Sequence, residues 1–224
     1  MIIPALNEEQ AITGLVREIT SPLVHECIVV DNGSTDQTAA CAAAAGARVI
    51  CEPRRGYGRA CRSGVEAASP ASDVLVFLDG DGSDVPEDLE SIASPVLSGS
   101  YDFVIGSRIR GEREPGSMQF SQILAGWLAG ILLRIRYGVS YTDMGPFRAI
   151  SRQALESLKM QEMTYGWNLE MQMKAAAKGF RILELPVRHR RRQGGVSKVS
   201  GSLTGSIKAT ARILKLFFVI GFAR

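Results

Sequence analysis

Across the first hundred residues, short apolar runs rich in Val and Ile alternate with helical stretches of ten to fifteen residues. No other feature narrows the fold as far, because such alternation marks βαβ units, whose strands lie side by side in a parallel sheet. The spacing predicts strands at 2–5, 26–31, 47–51, 73–79 and 101–106, with helices at 8–19, 35–45, 57–68 and 86–97. Asp36 and Pro86 are ordinary helix-opening residues, and Gly46 ends the second helix. The first, second and fourth strands each run into a polar cluster: Asn7-Glu8-Glu9, Asp31-Asn32-Gly33-Ser34 and Asp79-Gly80-Asp81. Open parallel sheets bind ligands at the carboxyl ends of their strands, so the three clusters are expected to converge on one crevice.

With 224 residues, 46% of them hydrophobic, the chain suits one globular domain with a sizeable core. Its cysteines, Cys27, Cys41, Cys51 and Cys61, form no CxxC pair and are read as reduced thiols packed inside a cytoplasmic protein. No charged-then-apolar leader opens the sequence. Net charge is only +3, yet residues 185–224 hold nine Lys or Arg and no acid, leaving 17 basic against 23 acidic residues elsewhere. That split suits a front that accepts a metal cation and a tail that attracts anions.

Beyond Gly106 the rhythm changes. A polar loop, RIRGEREPGSMQ, precedes the apolar run ILAGWLAGILL at 123–133. The run falls well short of the roughly 20 residues a spanning helix needs, so it reads either as a core helix or as one lying at a membrane surface. A loop containing TDMGPFRAI, a helix at 168–178 and a strand at 181–187 follow. The sequence then divides into a domain, 1–200, and a tail, 201–224, in which Lys208, Arg212 and Lys215 share one helical face ahead of the uncharged run LFFVIGFA. The tail is expected either to pack on the domain or to attach at a membrane surface without crossing it.

The fourth strand reads VLVFLDGDGSD, an apolar run that ends in three mutually repelling aspartates. Three chemistries use such spacing. A calcium loop fits Asp79, Asp81, Ser83 and Glu90, but it needs glycine where Asp84 stands and a helix where the pattern predicts a strand. A phosphatase of the haloacid dehalogenase type fits VFLDGDGS, with Asp79 as nucleophile and Asp81 as acid/base. That arrangement wants this strand first in the sheet and a later acidic pair for magnesium, whereas no acid follows Glu184. A clamp for a nucleoside diphosphate explains the cluster directly, because a divalent cation bridging two phosphates makes closely spaced carboxylates favourable. Asp31, at an earlier strand end, then suits the base and ribose.

In order along the chain, PALNE (4–8), VVDNGSTDQT (29–38), GYGRA (56–60), LDGDG (78–82), IGSR (105–108), TDMGPFRAI (142–150) and RRQGGVSK (191–198) resemble the family 2 glycosyltransferases. Those enzymes have the GT-A fold, a Rossmann-like nucleotide-sugar-binding α/β fold with a mostly parallel central sheet. The likeness is greatest to the dolichyl- and polyprenyl-phosphate mannose and glucose synthases. It implies a metal-dependent, inverting transfer of a hexose from a UDP-glucose or GDP-mannose type of donor to an acceptor, first of all a polyprenyl phosphate. It also implies that Pro4, Asn7, Glu8 and Asp31 hold base and ribose and that the loop Arg55-Gly56-Tyr57-Gly58 closes over them. Asp79 and Asp81 would face the sugar diphosphate and its Mg2+ or Mn2+. Taken alone, Asn7 and Glu8 also fit a helix start, and Asp31, Gly56 and Gly58 fit plain turns. Ser83 stands where those synthases carry a glutamine that reaches the metal, so it is the candidate second ligand beside Asp81, with Asp84 or water to complete the shell. The Q-x-x-R-W motif of polymer-building members is missing.

On the acceptor side the candidates are Arg108, Arg148, Arg190, Arg191, Arg192 and Lys198. A lipid phosphate is already anionic and needs only such cations to hold it. A hydroxyl acceptor needs a base, for which Glu170 and Asp143 are available unless both are structural. Asp79, Arg108 and Glu170 are therefore the residues expected at the chemical step. His25 and His189 are read as surface histidines. One basic run, RHRRR, without interleaved aromatics does not suit a nucleic-acid partner. A lipid-phosphate glycosyltransferase on the cytoplasmic face of a membrane thus stands against two rivals: a soluble glycosyltransferase acting on a hydroxyl, and the phosphatase.

Overall fold

The structure, a computed structural model, describes residues 1–195; Lys198 and the tail 201–224 lie outside the described residues. The expected alternation is present as β1 (Ile2–Ala5), α1 (Glu9–Glu18), β2 (Ile28–Asp31), α2 (Thr38–Ala44), β3 (Arg48–Cys51), α3 (Tyr57–Ala67), β4 (Val74–Phe77), α4 (Leu89–Leu97) and β5 (Phe103–Ser107). It continues with α5 (Phe120–Tyr137), β6 (Arg148–Ser151), α6 (Arg152–Leu158), α7 (Trp167–Ala177) and β7 (Ile182–Pro186). The strands form one sheet in the order β3-β2-β1-β4-β6-β5-β7. All pairings are parallel except those of β6, which runs antiparallel to both β4 and β5.

Strand burial follows the two-residue period of a sheet covered on both faces. Ile28 and Val30 pack into one core with Leu75, Phe77 and residues of α3 and α7; Val29 and Val76 point the other way, into a second core with α1 and α4. The strands therefore read as unbroken apolar runs until they reach the carboxyl edge, where the polar clusters begin. A calcium-loop reading of 79–90 fails here, since the segment before Asp79 is β4 and not a helix.

Two elements were not expected from the pattern. β6 and α6 occupy the stretch read as a loop around TDMGPFRAI; β6 is only four residues long, and Ser151 caps α6 by accepting from Ala154 N at 3.2 Å. α5 is longer than the apolar run, 18 residues instead of eleven, because Gln119 and Gln122 form a reciprocal cap at its start and Gly138, at φ 73°, ends it. Its buried side is small: Gly126, Ala129, Gly130 and Leu133. A Cβ at Gly130 would collide with the Tyr141 carbonyl, so this glycine permits the close approach of α5 to the following segment. The opposite side of α5 leaves Phe120, Leu124, Trp127, Leu128, Ile131 and Ile135 in solvent, with Phe120 77% and Ile135 79% exposed.

Candidate active site

The polar clusters at the ends of β1, β2 and β4 meet, as expected, along one cleft of about 770 Å³. Pro4 and Glu8 come from the end of β1, and Arg55, Gly56 and Tyr57 from the start of α3. Asp79, Asp81 and Ser83 come from the end of β4, and Arg108 from the end of β5. The far wall is the loop after Arg108 with the first turn of α5, and a strap at 189–195 crosses the mouth.

Asp79 sits at the cleft floor, where Tyr57 Oη donates to its Oδ1 at 3.0 Å. Burial, then the Asp81 and Asp84 carboxylates, push its carboxyl up to about 8. Asp81 is held differently. Its Oδ1 accepts from Ser83 N at 2.9 Å and from Ser83 Oγ at 2.5 Å, while its Oδ2 lies 3.0 Å from Arg192 Nη2. The Ser83 hydroxyl is thus turned onto the carboxylate and fixes its orientation.

Behind this pair, Asp84 is fully buried, and its Oδ1 faces His189 Nδ1 at 3.6 Å; neither atom has a hydrogen-bond partner among the described residues. His189 is therefore not the surface histidine expected from the sequence. It is 5% exposed and lines the cleft, held by Glu112 and Glu114 backbone bonds. At 3.6 Å the imidazole and the carboxylate are neighbours without a direct hydrogen bond.

Arg108 grips Asp143 with Nε and Nη2, at 2.7 and 2.8 Å, while Asp143 also accepts from the Arg108 and Met144 backbone N–H groups. Asp143 is consequently a buried anchor, and what it anchors is a cleft-lining guanidinium. Arg191 stands at the rim, its Nε donating to Pro115 O at 2.7 Å.

Three predicted residues are placed elsewhere. Glu170 is 2% exposed and spends its carboxylate on the Gln161 and Glu162 N–H groups and on Lys174 Nζ at 2.7 Å; it does not line the cleft, so it braces α7 and is not a base there. Arg148 is fully buried beneath the sheet edge, donating to the Gly145 and Asn168 carbonyls, and burial pulls its guanidinium down to about 10. It does not line the cleft. Arg190 turns away to Gly82 O and Glu18, tying the aspartate loop to α1.

Others act one step back. Asn7 Oδ1 accepts from Thr35 N, and Asp31 Oδ1 accepts from Ser34 N, so these two side chains shape the loops beside the cleft without lining it. Gly58 is required by packing, since a Cβ there would strike the backbone of Glu162 and Met163. Asn32, not singled out from its motif, closes the α3 loop: its amide donates to the Glu52 and Arg54 carbonyls and accepts from Gly56 N at 2.7 Å. Tyr165 and Gln122 also line the cleft without a motif that marks them.

Among the described residues no three His, Cys, Asp or Glu side chains converge as a ready-made metal cage. The donor set nevertheless fits a hard divalent cation shared with a substrate, which binds through one or two carboxylates and completes its shell with phosphate oxygens and water. The crowding of Asp79 by the Asp81 and Asp84 carboxylates and the guanidinium against Asp81 both mark a place that calls for positive charge.

Comparison with known proteins agrees with the geometry. A family model described as glycosyl transferase family 2 matches residues 1–159. An uncharacterized glycosyltransferase of Mycobacterium tuberculosis is 38% identical over 211 residues, 93% of each chain. Polyprenol monophosphomannose synthase of Mycolicibacterium smegmatis is 30% identical over 219 residues, covering 90% of this chain and 81% of that protein. Among solved structures, glucosyl-3-phosphoglycerate synthase from Mycobacterium tuberculosis in complex with Mn2+, UDP-glucose and phosphoglyceric acid superimposes with a TM-score of 0.77. It is 25% identical and covers 100% of this chain and 79% of that one.

Proposed function

Since this chain belongs to glycosyl transferase family 2, we propose that it moves a hexose, with inversion, from a nucleoside-diphosphate sugar to a polyprenyl phosphate. The haloacid dehalogenase reading falls with that membership. The donor is of the UDP-glucose or GDP-mannose type, and its diphosphate lies against Asp79 and Asp81 with Mg2+ or Mn2+. The cation, when bound, acts as a Lewis acid that neutralises the leaving diphosphate. Asp81 and His189 would hold it, Ser83 orients Asp81, and the Arg55–Tyr57 turn would cover the nucleotide.

The observation that carries the choice of acceptor is the fate of the two carboxylates available as bases. Glu170 and Asp143 are both buried and fully engaged, whereas Arg108 and Arg191 line the cleft. A phosphate oxygen needs no proton removed and is held by guanidinium groups; a hydroxyl would need the base. The apolar outer side of α5, which starts at the cleft wall, supports an acceptor presented from lipid, and the enzyme then rests on the membrane surface. No helix among the described residues is long and apolar enough to cross a bilayer.

The test is a transfer assay with radiolabelled UDP-glucose and GDP-mannose, Mn2+, and either polyprenyl phosphate or water-soluble hydroxyl acceptors. Label should pass to the lipid phosphate from one donor. Transfer to soluble hydroxyls alone would overturn the lipid-phosphate reading in favour of a soluble transferase.

A further inference from the structure

One side chain holds the acidic rim together. Arg192 Nη1 donates to both oxygens of Glu8, at 2.8 and 2.6 Å, while its Nη2 lies 3.0 Å from Asp81 Oδ2. The partners are largely enclosed: the side chains of Glu8 and Asp81 are 7% and 14% exposed, and that of Arg192 is 23% exposed. The guanidinium therefore spans carboxylates from two strand ends, β1 and β4. The strap that carries it is fastened to the aspartate loop by its backbone, with Arg190 N donating to Ser83 O at 2.9 Å and Gln193 N to Asp81 O at 3.0 Å.

A guanidinium keeps its charge at any working pH and presents its donors in a rigid plane, which suits it to carboxylates and phosphates alike. We propose that Arg192 is the internal counter-ion of this site. It occupies Asp81 while no cation is bound and passes to the donor's diphosphate oxygens when the cation takes that carboxylate. The inference rests on the cation–diphosphate reading above. A cation arriving alone must displace an ion pair and leave a guanidinium without its second partner. A cation arriving with a nucleoside diphosphate brings the anion that the guanidinium then pairs with. Cation and nucleotide binding thereby favour each other, and by linkage the coupling is the same in both directions. Arg192 is on this account a positioning residue that sets the order of assembly.

The experiment measures Mn2+ binding from the loss of the free-ion electron paramagnetic resonance signal, alone and with UDP or GDP present. It compares the wild-type chain with Arg192→Gln, Arg192→Lys and, as an exposed control, Arg17→Gln, each checked for native circular dichroism. Arg192→Gln should bind Mn2+ alone on the order of tenfold more tightly than wild type, and the gain from added nucleotide should shrink by a similar factor. Arg192→Lys should fall between them, because an ammonium group is a point charge that does not bridge two carboxylates in one plane. The control should match wild type. Equal affinity for Mn2+ alone in wild type and both Arg192 variants would overturn the counter-ion role while leaving the cation site intact. Absence of Mn2+ binding in every protein, with either nucleotide, would overturn the cation reading and this inference with it. Should Arg192→Gln fail to fold, the comparison with Arg192→Lys decides the matter.

Discussion

Asp79 and Asp81 stand two residues apart, yet their surroundings ask opposite things of them. Asp81 is offered a guanidinium and two hydrogen bonds from Ser83; Asp79 is offered a phenol and two neighbouring acids. Since the folded Asp79 carboxyl takes up its proton at about 8 instead of in the ordinary aspartate range, the native state binds the extra proton. The contribution of Asp79 to the stability of the metal-free protein is then greatest at low pH and is lost as pH rises towards 8. The melting temperature of the metal-free protein should fall between about pH 5 and pH 8.5, and Asp79→Asn should flatten that profile. A wild-type profile as flat as the variant's would mean that Asp79 ionises normally. The acidic cluster was legible in the sequence because its members are neighbours along the chain. The roles of His189, Arg148 and Glu170 were not, because each depends on partners distant in the chain. Nothing local separates a buried arginine in a four-residue strand from one that faces a ligand.

Among the elements, α7 and α5 show how the same helical pattern serves different ends. On α7, Glu170 draws the 161–162 backbone onto the helix through charge-assisted bonds. Glu170→Gln should therefore cost about 1–3 kcal/mol in denaturant melts while leaving kcat per folded molecule unchanged. A loss of kcat without a loss of stability would restore its role as a base. On α5 the helix was legible from its apolar run, but the exposure of its large residues was not, since an apolar run on its own does not say which side packs inward. Trp127→Glu with Ile135→Glu should leave the melting temperature near wild type, as exposed substitutions do, and should reduce flotation with anionic liposomes several-fold. Undiminished flotation would move the membrane contact elsewhere. β6 escaped notice because four residues behind Gly145 and Pro146 carry too little pattern to separate a strand from a loop.

At the scale of the molecule, the alternation of the first hundred residues was enough to foretell the parallel half of the sheet and the edge where ligands gather. The second half was less legible because its order in space departs from its order in the chain. Within the sheet of the described residues, β6 is the strand that joins the β1–β4 block to the β5–β7 pair, matching Val74–Phe77 on one side and Phe103–Ile105 on the other. During synthesis, β4 and β5 both leave the ribosome before the strand that joins them, and each presents an unpaired backbone edge until residue 151 has been added. The nascent protein is thus exposed to sticking edge to edge with its copies for that interval. A fragment ending at residue 140 should fail to unfold cooperatively and should aggregate, whereas a fragment ending at 195 should fold; cooperative melting of the shorter one would show that the first block completes itself without β6.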